Sequence, residues 1–163
     1  MKTLILYATK YGAAREIAQK IAGIIDGSEI RDLKEGGIPP LSEYDCVIVG
    51  SSIYVGKIRK EARTFIAENS DALCGKRLGL YISGFEPQSA EACFKSNFPE
   101  KLLSHATVTA FLGGILDPKK AGGFDLFLLR AAKVSAGYMN TISDVEIKRF
   151  AEALSVDDHF ADQ

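Results

Sequence analysis

The chain has 163 residues, of which 47% are hydrophobic and 25% are charged, a composition typical of a folded globular protein and not of a disordered or repetitive one. Twenty Lys and Arg residues against 21 Asp and Glu residues leave a formal charge of −1, so no overall positive field attracts nucleic acid. The length suits one domain over residues 1–163, and we expect no nucleic-acid partner.

Cysteine usage and the N-terminal stretch indicate the cellular compartment. Cys46, Cys74 and Cys93 form no Cys-x-x-Cys pair and have no neighbouring histidine, which favours reduced thiols over disulfides or a metal site. Met1 and Lys2 lead directly into a short apolar run without the pattern of a secretory signal, so we expect a cytoplasmic protein. No apolar stretch approaches the ~18 residues that span a bilayer, and any membrane contact is therefore expected to be peripheral.

Short apolar runs alternate with helical patterns along the whole chain. The predicted strands cover residues 3–8, 29–33, 45–50, 77–83 and 108–112. The predicted helices cover residues 13–26, 59–69, 89–103 and a last segment that begins at Ser143, where Ser143 and Glu146 have the spacing of a capping box. This alternation indicates βαβ units and an α/β fold with a doubly wound sheet of five parallel strands. A segment of about residues 117–142 precedes the last helix, and an acidic tail occupies residues 155–163.

The loop after the first predicted strand is a candidate phosphate site. It consists of Thr9, Lys10, Tyr11, Gly12, Ala13 and Ala14 and leads into the start of a helix. Ligands of doubly wound sheets bind beyond the carboxyl ends of the strands, and unpaired N–H groups at a helix start favour an anion. The loop is neither a P-loop nor a Gly-x-Gly-x-x-Gly fingerprint, so a phosphate loop of another kind and a plain structural turn are both open at this point.

Two further loops are predicted to lie at the same edge of the sheet. The loop after the third strand contains Ser51, Ser52, Ile53, Tyr54 and Gly56, and the loop after the fourth contains Ser83, Gly84 and Phe85. Two aromatic rings beside a phosphate-type loop favour a flat ligand that carries a phosphate.

These loops resemble those of flavodoxin-like FMN-binding domains. In flavodoxins a Ser/Thr-x-Thr-Gly-x-Thr loop binds the FMN phosphate, and the present loop matches it at Thr9 and Gly12 but has Tyr11 and Ala14 at the other two hydroxyl positions. The resemblance implies a sheet in the order 2-1-3-4-5 and FMN as the cofactor, with its phosphate held by backbone N–H groups.

The same resemblance assigns roles to the two later loops. It implies that Tyr54 stacks on one face of the flavin and that Phe85 closes the other edge. Gly56 and Gly84 would allow backbone groups to approach the ring. No side chain is expected to be catalytic, since the flavin carries the redox chemistry.

Within that superfamily the chain is more similar to the bacterial menaquinone-dependent protoporphyrinogen oxidases. The similarity consists of MKTLIL at residues 1–6, REIA at residues 15–18, GSSIYVG at residues 50–56, and a segment inserted before the last helix. It implies an FMN-dependent oxidoreductase that passes electrons to a quinone-type acceptor, with porphyrinogen as a candidate substrate.

The inserted segment has an apolar stretch with helical spacing at residues 124–134 and a local charge of +2. Such a helix suits peripheral contact with a membrane surface, a quinone tail or a redox partner protein. Packing on the sheet and formation of a homodimer are equally compatible with it.

Two other functions of the same fold do not fit this pattern. A receiver domain needs acidic residues where the chain has Ala8, Thr9 and Gly50, and a hydrolase needs a base that His105 and His159 are badly placed to supply. A flavodoxin electron carrier that docks on redox partner proteins is the alternative to the oxidoreductase. A flavin-free interaction domain is the third hypothesis.

Overall fold

The structure is a computed structural model that describes residues 1–131 and 137–156. In chain order the strands are β1 (Thr3–Ala8), β2 (Glu29–Asp32), β3 (Cys46–Tyr54), β4 (Lys57–Ile58), β5 (Arg77–Ser83), β6 (Val108–Phe111), β7 (Ile115–Leu116) and β8 (Met139–Asn140). The α-helices are α1 (Ala13–Ala22), α2 (Lys60–Cys74), α3 (Ala90–Asn97), α4 (Glu100–His105), α5 (Gly123–Ala131) and α6 (Asp144–Ser155). Two short 3-10 turns occupy Leu41–Glu43 and Pro87–Ser89.

The central sheet has the order β2-β1-β3-β5-β6, and these five strands are parallel. The predicted fourth and fifth strands are β5 and β6, so this confirms the predicted doubly wound sheet and its order 2-1-3-4-5. The order reverses direction between β1 and β3, so the loops after these two strands diverge and leave a crevice at their carboxyl ends. A short sixth strand, β4, returns antiparallel beside the end of β3, with Ile53 opposite Ile58 and Tyr54 opposite Lys57.

Helices cover both faces of the sheet and make two hydrophobic cores. The stripe of α1 that contains Ile17 and Ile21 packs with Phe150 and Leu154 of α6 on one face. Residues of α2 and α4 pack on the other face, where Leu102 is fully buried. Because β1, β3 and β5 are covered on both sides, each contains an apolar stretch without alternation, such as residues 46–49 of β3.

Several predicted elements were wrong in extent. The first helix ends at Ala22 instead of residue 26, and the second runs to Cys74 instead of residue 69. The third strand continues through Tyr54 instead of ending at Gly50, because β5 extends its pairing to Ser83 beside Ser52 and β4 pairs with its end. The helix predicted over residues 89–103 is two helices, α3 and α4. Phe98 between them is extended (φ −120°, ψ 143°), since a proline at position 99 disfavours the helical conformation of the residue before it.

The inserted segment begins and ends in a small antiparallel pair, β7 and β8, with Leu116 opposite Met139. The predicted helix of this segment is present as α5 as far as Ala131, and the rest of that prediction, residues 132–134, lies outside the described ranges. The acidic tail lies outside them from residue 157 onward. The Ser143 hydroxyl accepts a hydrogen bond from the Glu146 N–H (3.3 Å), which caps α6 as predicted. Within the described ranges, no helix is long and apolar enough to cross a membrane.

Candidate functional site

The loop between β1 and α1 is a tight turn stabilised by two side-chain hydroxyls. The Gly12 N–H donates to Thr9 Oγ1 (2.9 Å), and the Lys10 N–H donates to Ser52 Oγ (3.2 Å) in the neighbouring loop after β3. Gly12 has φ 97°, in the left-handed region that only glycine adopts without strain. The glycine that the sequence singled out is therefore required by the conformation of the turn.

The first turn of α1 presents unpaired donors. The N–H groups of Ala13 and Ala14 donate to no protein acceptor among the residues that the structure describes. The Ala14 side chain is fully buried, and its carbonyl accepts a hydrogen bond from the Tyr81 hydroxyl (2.7 Å). Burial raises the pKa of Tyr81, which keeps this phenol protonated as the donor. Position 14 has an alanine and no hydroxyl because its side chain lies in the hydrophobic core. An anion bound at the start of α1 would therefore contact backbone N–H groups.

A cavity of about 390 Å³ lies beside this turn, between the carboxyl ends of β3 and β5 and the inserted segment. Most of the predicted site residues line it: Lys10, Tyr11, Ala13, Ser52, Ile53, Tyr54, Gly56, Ser83, Gly84 and Phe85. The structure therefore brings the three predicted loops together at one place.

Four predicted residues do not line this cavity. Thr9, Gly12 and Ala14 form the phosphate-type turn itself. Ser51 is buried and points to the start of α2, where its Oγ accepts from the Arg59 N–H (2.9 Å) and donates to the Ser52 carbonyl (3.0 Å). Ser51 stabilises the course of the chain after β3 and has no free group to offer a ligand.

A cluster of three side chains joins the phosphate-type turn to the inserted segment. The Lys10 ammonium lies 3.1 Å from Asp125 Oδ1 and 3.0 Å from Oδ2, and it also lies 3.3 Å from the centroid of the Tyr54 ring. The Tyr54 hydroxyl donates a short hydrogen bond to the same Asp125 carboxylate. Lys10 lines the cavity and is held there both by the ion pair with Asp125 and by the cation–π contact with Tyr54.

Sequence reasoning missed the wall that the inserted segment supplies. From this segment, Ile115, Leu116, Ala121, Asp125, Leu128 and Met139 line the cavity. The other unpredicted lining residues come from elsewhere in the chain: Val55, Glu86, Cys93, Phe111 and Gly114. Asp125 could have been suspected, since it is a lone carboxylate in an apolar helical stretch, and its side chain is only 12% exposed. The apolar wall residues carry no such signal.

The turn that carries Tyr54 is held rigidly from α3. Asn97 Oδ1 accepts from the Ile58 N–H (3.0 Å), and Asn97 Nδ2 donates to the Gly56 carbonyl (3.0 Å) and to the Cys93 carbonyl (2.8 Å). Val55 and Gly56 both have positive φ, 49° and 72°, as a two-residue hairpin turn requires. Asn97 therefore positions the rim of the cavity.

The comparisons with known proteins decide the family. Residues 4–141 match the model of the flavodoxin domain. The chain belongs to the flavodoxin family. Among curated proteins, this flavodoxin-domain chain is similar to the protoporphyrinogen IX dehydrogenase [quinone] of Escherichia coli K12, with 24% identity over 159 residues that cover 89% of this chain and 86% of that protein.

Solved structures agree with the fold of the flavodoxin domain. A short-chain flavodoxin associated with a non-canonical PDU bacterial microcompartment has a TM-score of 0.60 at 15% identity, with 94% of this chain and 96% of that chain covered. A flavodoxin from the domain Archaea has a TM-score of 0.55 at 17% identity, with 93% and 99% covered. Flavodoxin from Fusobacterium nucleatum, solved with flavin mononucleotide bound, has a TM-score of 0.50 at 15% identity over 67% of this chain and 68% of that chain.

Proposed function

We propose that this protein binds FMN and is an oxidoreductase that passes electrons to a quinone-type acceptor. The observation that carries the proposal is the cavity itself, which has a phosphate-type turn and two aromatic residues on one side and an apolar wall from the inserted segment on the other. FMN, when bound, supplies the redox chemistry, and the protein positions it.

The phosphate end of FMN has a suitable place at the start of α1. The unpaired N–H groups of Ala13 and Ala14 and the partial positive charge of the helix start would hold the phosphate dianion. Thr9 already orders this turn through Gly12. Since the motif positions 11 and 14 offer no Thr hydroxyl, this binding would depend mainly on the backbone.

The ring end of FMN is assigned to Tyr54 and Phe85, as the resemblance implies. Both residues line the cavity, and Phe85 is 40% exposed there. The Lys10 ammonium covers one face of the Tyr54 ring, so a flavin stacked on that face takes the place of the ammonium. The Lys10 ammonium would then leave the ring face, and Lys10, itself a residue of the phosphate-type turn, would lie near the bound phosphate.

A quinone-type acceptor has its place against the inserted segment. Leu116, Leu128 and Met139 of this segment face the same cavity as Phe111 of β6. A flat apolar molecule gains free energy by burial against such a wall, at about 25 cal/mol per Å². Porphyrinogen is the candidate electron donor, since the E. coli relative is named as a protoporphyrinogen IX dehydrogenase.

A flavodoxin electron carrier is the second candidate function, and the family membership favours it directly. A carrier delivers electrons to a protein partner and needs no wall beside the flavin. The inserted segment is the feature that supports the oxidoreductase over the carrier, because it adds apolar surface to the cavity.

The test is the visible spectrum of the purified protein after FMN has been added and the excess removed, followed by anaerobic titration. We expect a retained flavin band that a porphyrinogen or menadiol bleaches and that menadione restores. A retained band with a long-lived blue semiquinone and no response to either substrate would favour the carrier. Absence of any retained flavin would contradict both functions.

A further inference from the structure

A groove with four cationic side chains lies next to the proposed flavin site. Its volume is about 350 Å³, and we call it the cationic groove because Lys57, Arg59, Lys60 and Arg63 line it. Glu61 is the only carboxylate within residues 57–63, so this stretch has a formal charge of +3 in a chain whose total is −1. The groove therefore favours an anionic ligand.

The positive charge of the groove is not neutralised by the part of the chain that the structure describes. None of the four cations forms an ion pair with a carboxylate there, whereas Lys20 pairs with Asp144 and Lys95 with Glu91. Arg63 makes only a long hydrogen bond to the Ile58 carbonyl (3.4 Å). The carboxylates of a ligand would thus meet charged donors that no protein carboxylate occupies.

The backbone of the groove is anchored from two sides. The Ile58 N–H donates to Asn97 Oδ1 (3.0 Å), and the Arg59 N–H donates to Ser51 Oγ (2.9 Å). A binding site whose backbone is already ordered loses less conformational freedom when a ligand binds.

An exposed apolar residue separates the groove from the proposed flavin site. Tyr54 and Val55 line both cavities. Val55 is 72% exposed, and within the described ranges it is the only non-glycine residue with positive φ (49°). This conformation is costly for a β-branched residue, and such strain is concentrated at ligand sites. The arrangement suits an amphipathic ligand that covers Val55 with an apolar ring and reaches the groove with an anionic group.

We propose that the cationic groove binds the propionate carboxylates of the porphyrinogen donor. This inference rests on the proposed function, in which porphyrinogen gives its electrons in the neighbouring cavity. A porphyrinogen has an apolar tetrapyrrole ring with propionates on its edge, so the ring would contact Tyr54 and Val55 while the propionates bind in the groove. Each oxidation removes two electrons and two protons from the ring, and reduction of one quinone to the quinol takes up the same numbers.

The groove would select the donor without holding the acceptor. A quinone has no carboxylate, and no residue of the inserted segment lines the groove within the described ranges. Arg59 and Arg63 offer guanidinium groups that can bind a carboxylate with two parallel hydrogen bonds. The concave shape also favours propionates that project from the edge of a ring over the headgroups of a lipid bilayer, which form a flat surface.

The experiment measures binding of protoporphyrin IX to the FMN-loaded full chain through the red fluorescence of the porphyrin. This oxidised product keeps both propionates and undergoes no reaction in the assay. Its dimethyl ester, in the same dilute non-ionic detergent, is the matched ligand without the two charges.

The test variant is Lys57→Gln/Lys60→Gln, and the control is Lys76→Gln/Lys148→Gln, which removes the same number of charges. Lys76 and Lys148 line neither cavity. Lys76 directly precedes β5, at the end of the sheet opposite to the site.

We expect the test variant to bind protoporphyrin IX about ten-fold or more weakly, because it loses charge-assisted hydrogen bonds to the carboxylates. The control should lose less than about two-fold, and Lys57→Arg/Lys60→Arg should keep the affinity of the unchanged protein. The dimethyl ester should bind to the test variant and to the control equally. In turnover, KM for protoporphyrinogen should rise about ten-fold in the test variant, while flavin reduction by menadiol, which has no carboxylate, stays unchanged.

Equal affinities of the test variant and the control for protoporphyrin IX would overturn the carboxylate site. An equal loss of affinity for the dimethyl ester would overturn it as well, because that loss does not depend on the carboxylates. Absence of protoporphyrin binding by the unchanged protein would have the same consequence.

Retention of FMN and its reduction by menadiol are measured on the same samples and report on the proposed function separately. Failure of either would contradict that function even where the groove binds the porphyrin. Normal retention and reduction without porphyrin binding would overturn the carboxylate site alone.

Co-sedimentation with phosphatidylglycerol vesicles separates a lipid source of the anion. Loss of vesicle binding in Lys57→Gln/Lys60→Gln with an unchanged porphyrin affinity would overturn the porphyrinogen site in favour of a membrane surface.

Discussion

Lys10 and Asp125 are 115 residues apart in the sequence and form an ion pair with both carboxylate oxygens within 3.1 Å of the ammonium. The pair connects the phosphate-type turn to α5. Tyr54 contacts both members, since its hydroxyl donates to Asp125 and its ring face contacts the Lys10 ammonium. Any ligand that occupies the Tyr54 ring face competes with this arrangement. The inserted segment is therefore linked to the proposed cofactor site by a contact that a flavin stacked on this ring face, as proposed, would disturb.

Substitution of Asp125 tests this competition. We expect Asp125→Asn to bind FMN more tightly, by about five-fold, because the change removes one negative charge from the site of a dianionic ligand and releases Lys10 from its ion pair, an effect of about 1 kcal/mol. The measurement is quenching of flavin fluorescence on titration. Glu86→Gln is the matched control, since it removes a carboxylate from the same cavity without freeing Lys10, and it should change the affinity less. Weaker binding by Asp125→Asn would contradict the competition.

The aromatic ring of Tyr54 is expected to matter more than its hydroxyl. Tyr54→Ala should weaken FMN binding about ten-fold and shift the reduction potential, because ring stacking contributes roughly 1–3 kcal/mol. Tyr54→Phe keeps the ring and loses only the hydrogen bond to Asp125, so its affinity should stay close to that of the unchanged protein. If Tyr54→Ala left both the affinity and the potential unaltered, Tyr54 would not stack on the flavin.

Removal of the inserted segment separates acceptor binding from cofactor binding. Leu116 and Met139 are opposite each other in β7 and β8, so replacing residues 117–138 by Asn-Gly closes a two-residue hairpin without strain on the sheet. We expect menadione turnover to fall about ten-fold or more, equivalent to ~1.4 kcal/mol, while FMN binds at least as tightly as before. Unchanged turnover in steady-state assays would show that the segment does not bind the acceptor.

The cysteines are expected to differ in reactivity. Burial raises the pKa of the Cys46 thiol to about 11, while Cys74 and Cys93 are half-buried. The thiolate is the reactive form, so a raised pKa lowers the reactive fraction at pH 8 to about one part in a thousand. Iodoacetamide at pH 8 should label Cys74 and Cys93 and spare Cys46 until denaturant is added, as read by peptide mass spectrometry. Labelling of all three at one rate in the folded protein would contradict this burial.

Much of the fold could be predicted because its signals are local. The apolar run at residues 46–49 of β3 indicates a strand covered on both faces, and the Ser143 to Glu146 spacing marks the start of α6. Pattern alone misjudged the break before Pro99, because the amphipathic stripe continues through it while the backbone does not. The predicted chain order of strands and helices was enough to predict that the three loops lie at one edge of the sheet.

The cavity wall, in contrast, was decided only by the tertiary structure. Asn97 anchors the Tyr54 hairpin from α3 without any mark on the sequence, and Asp125 reaches Lys10 from α5, a partner that its place in an apolar stretch does not reveal. The sequence by itself determined the five parallel strands and the glycine turn after β1, since strand burial and glycine conformation depend on neighbouring residues, while the order of the strands followed from the resemblance to flavodoxins. The partners of Lys10 and Tyr54 depend on where α5 docks, because contacts between residues more than a hundred positions apart are set by packing of whole elements.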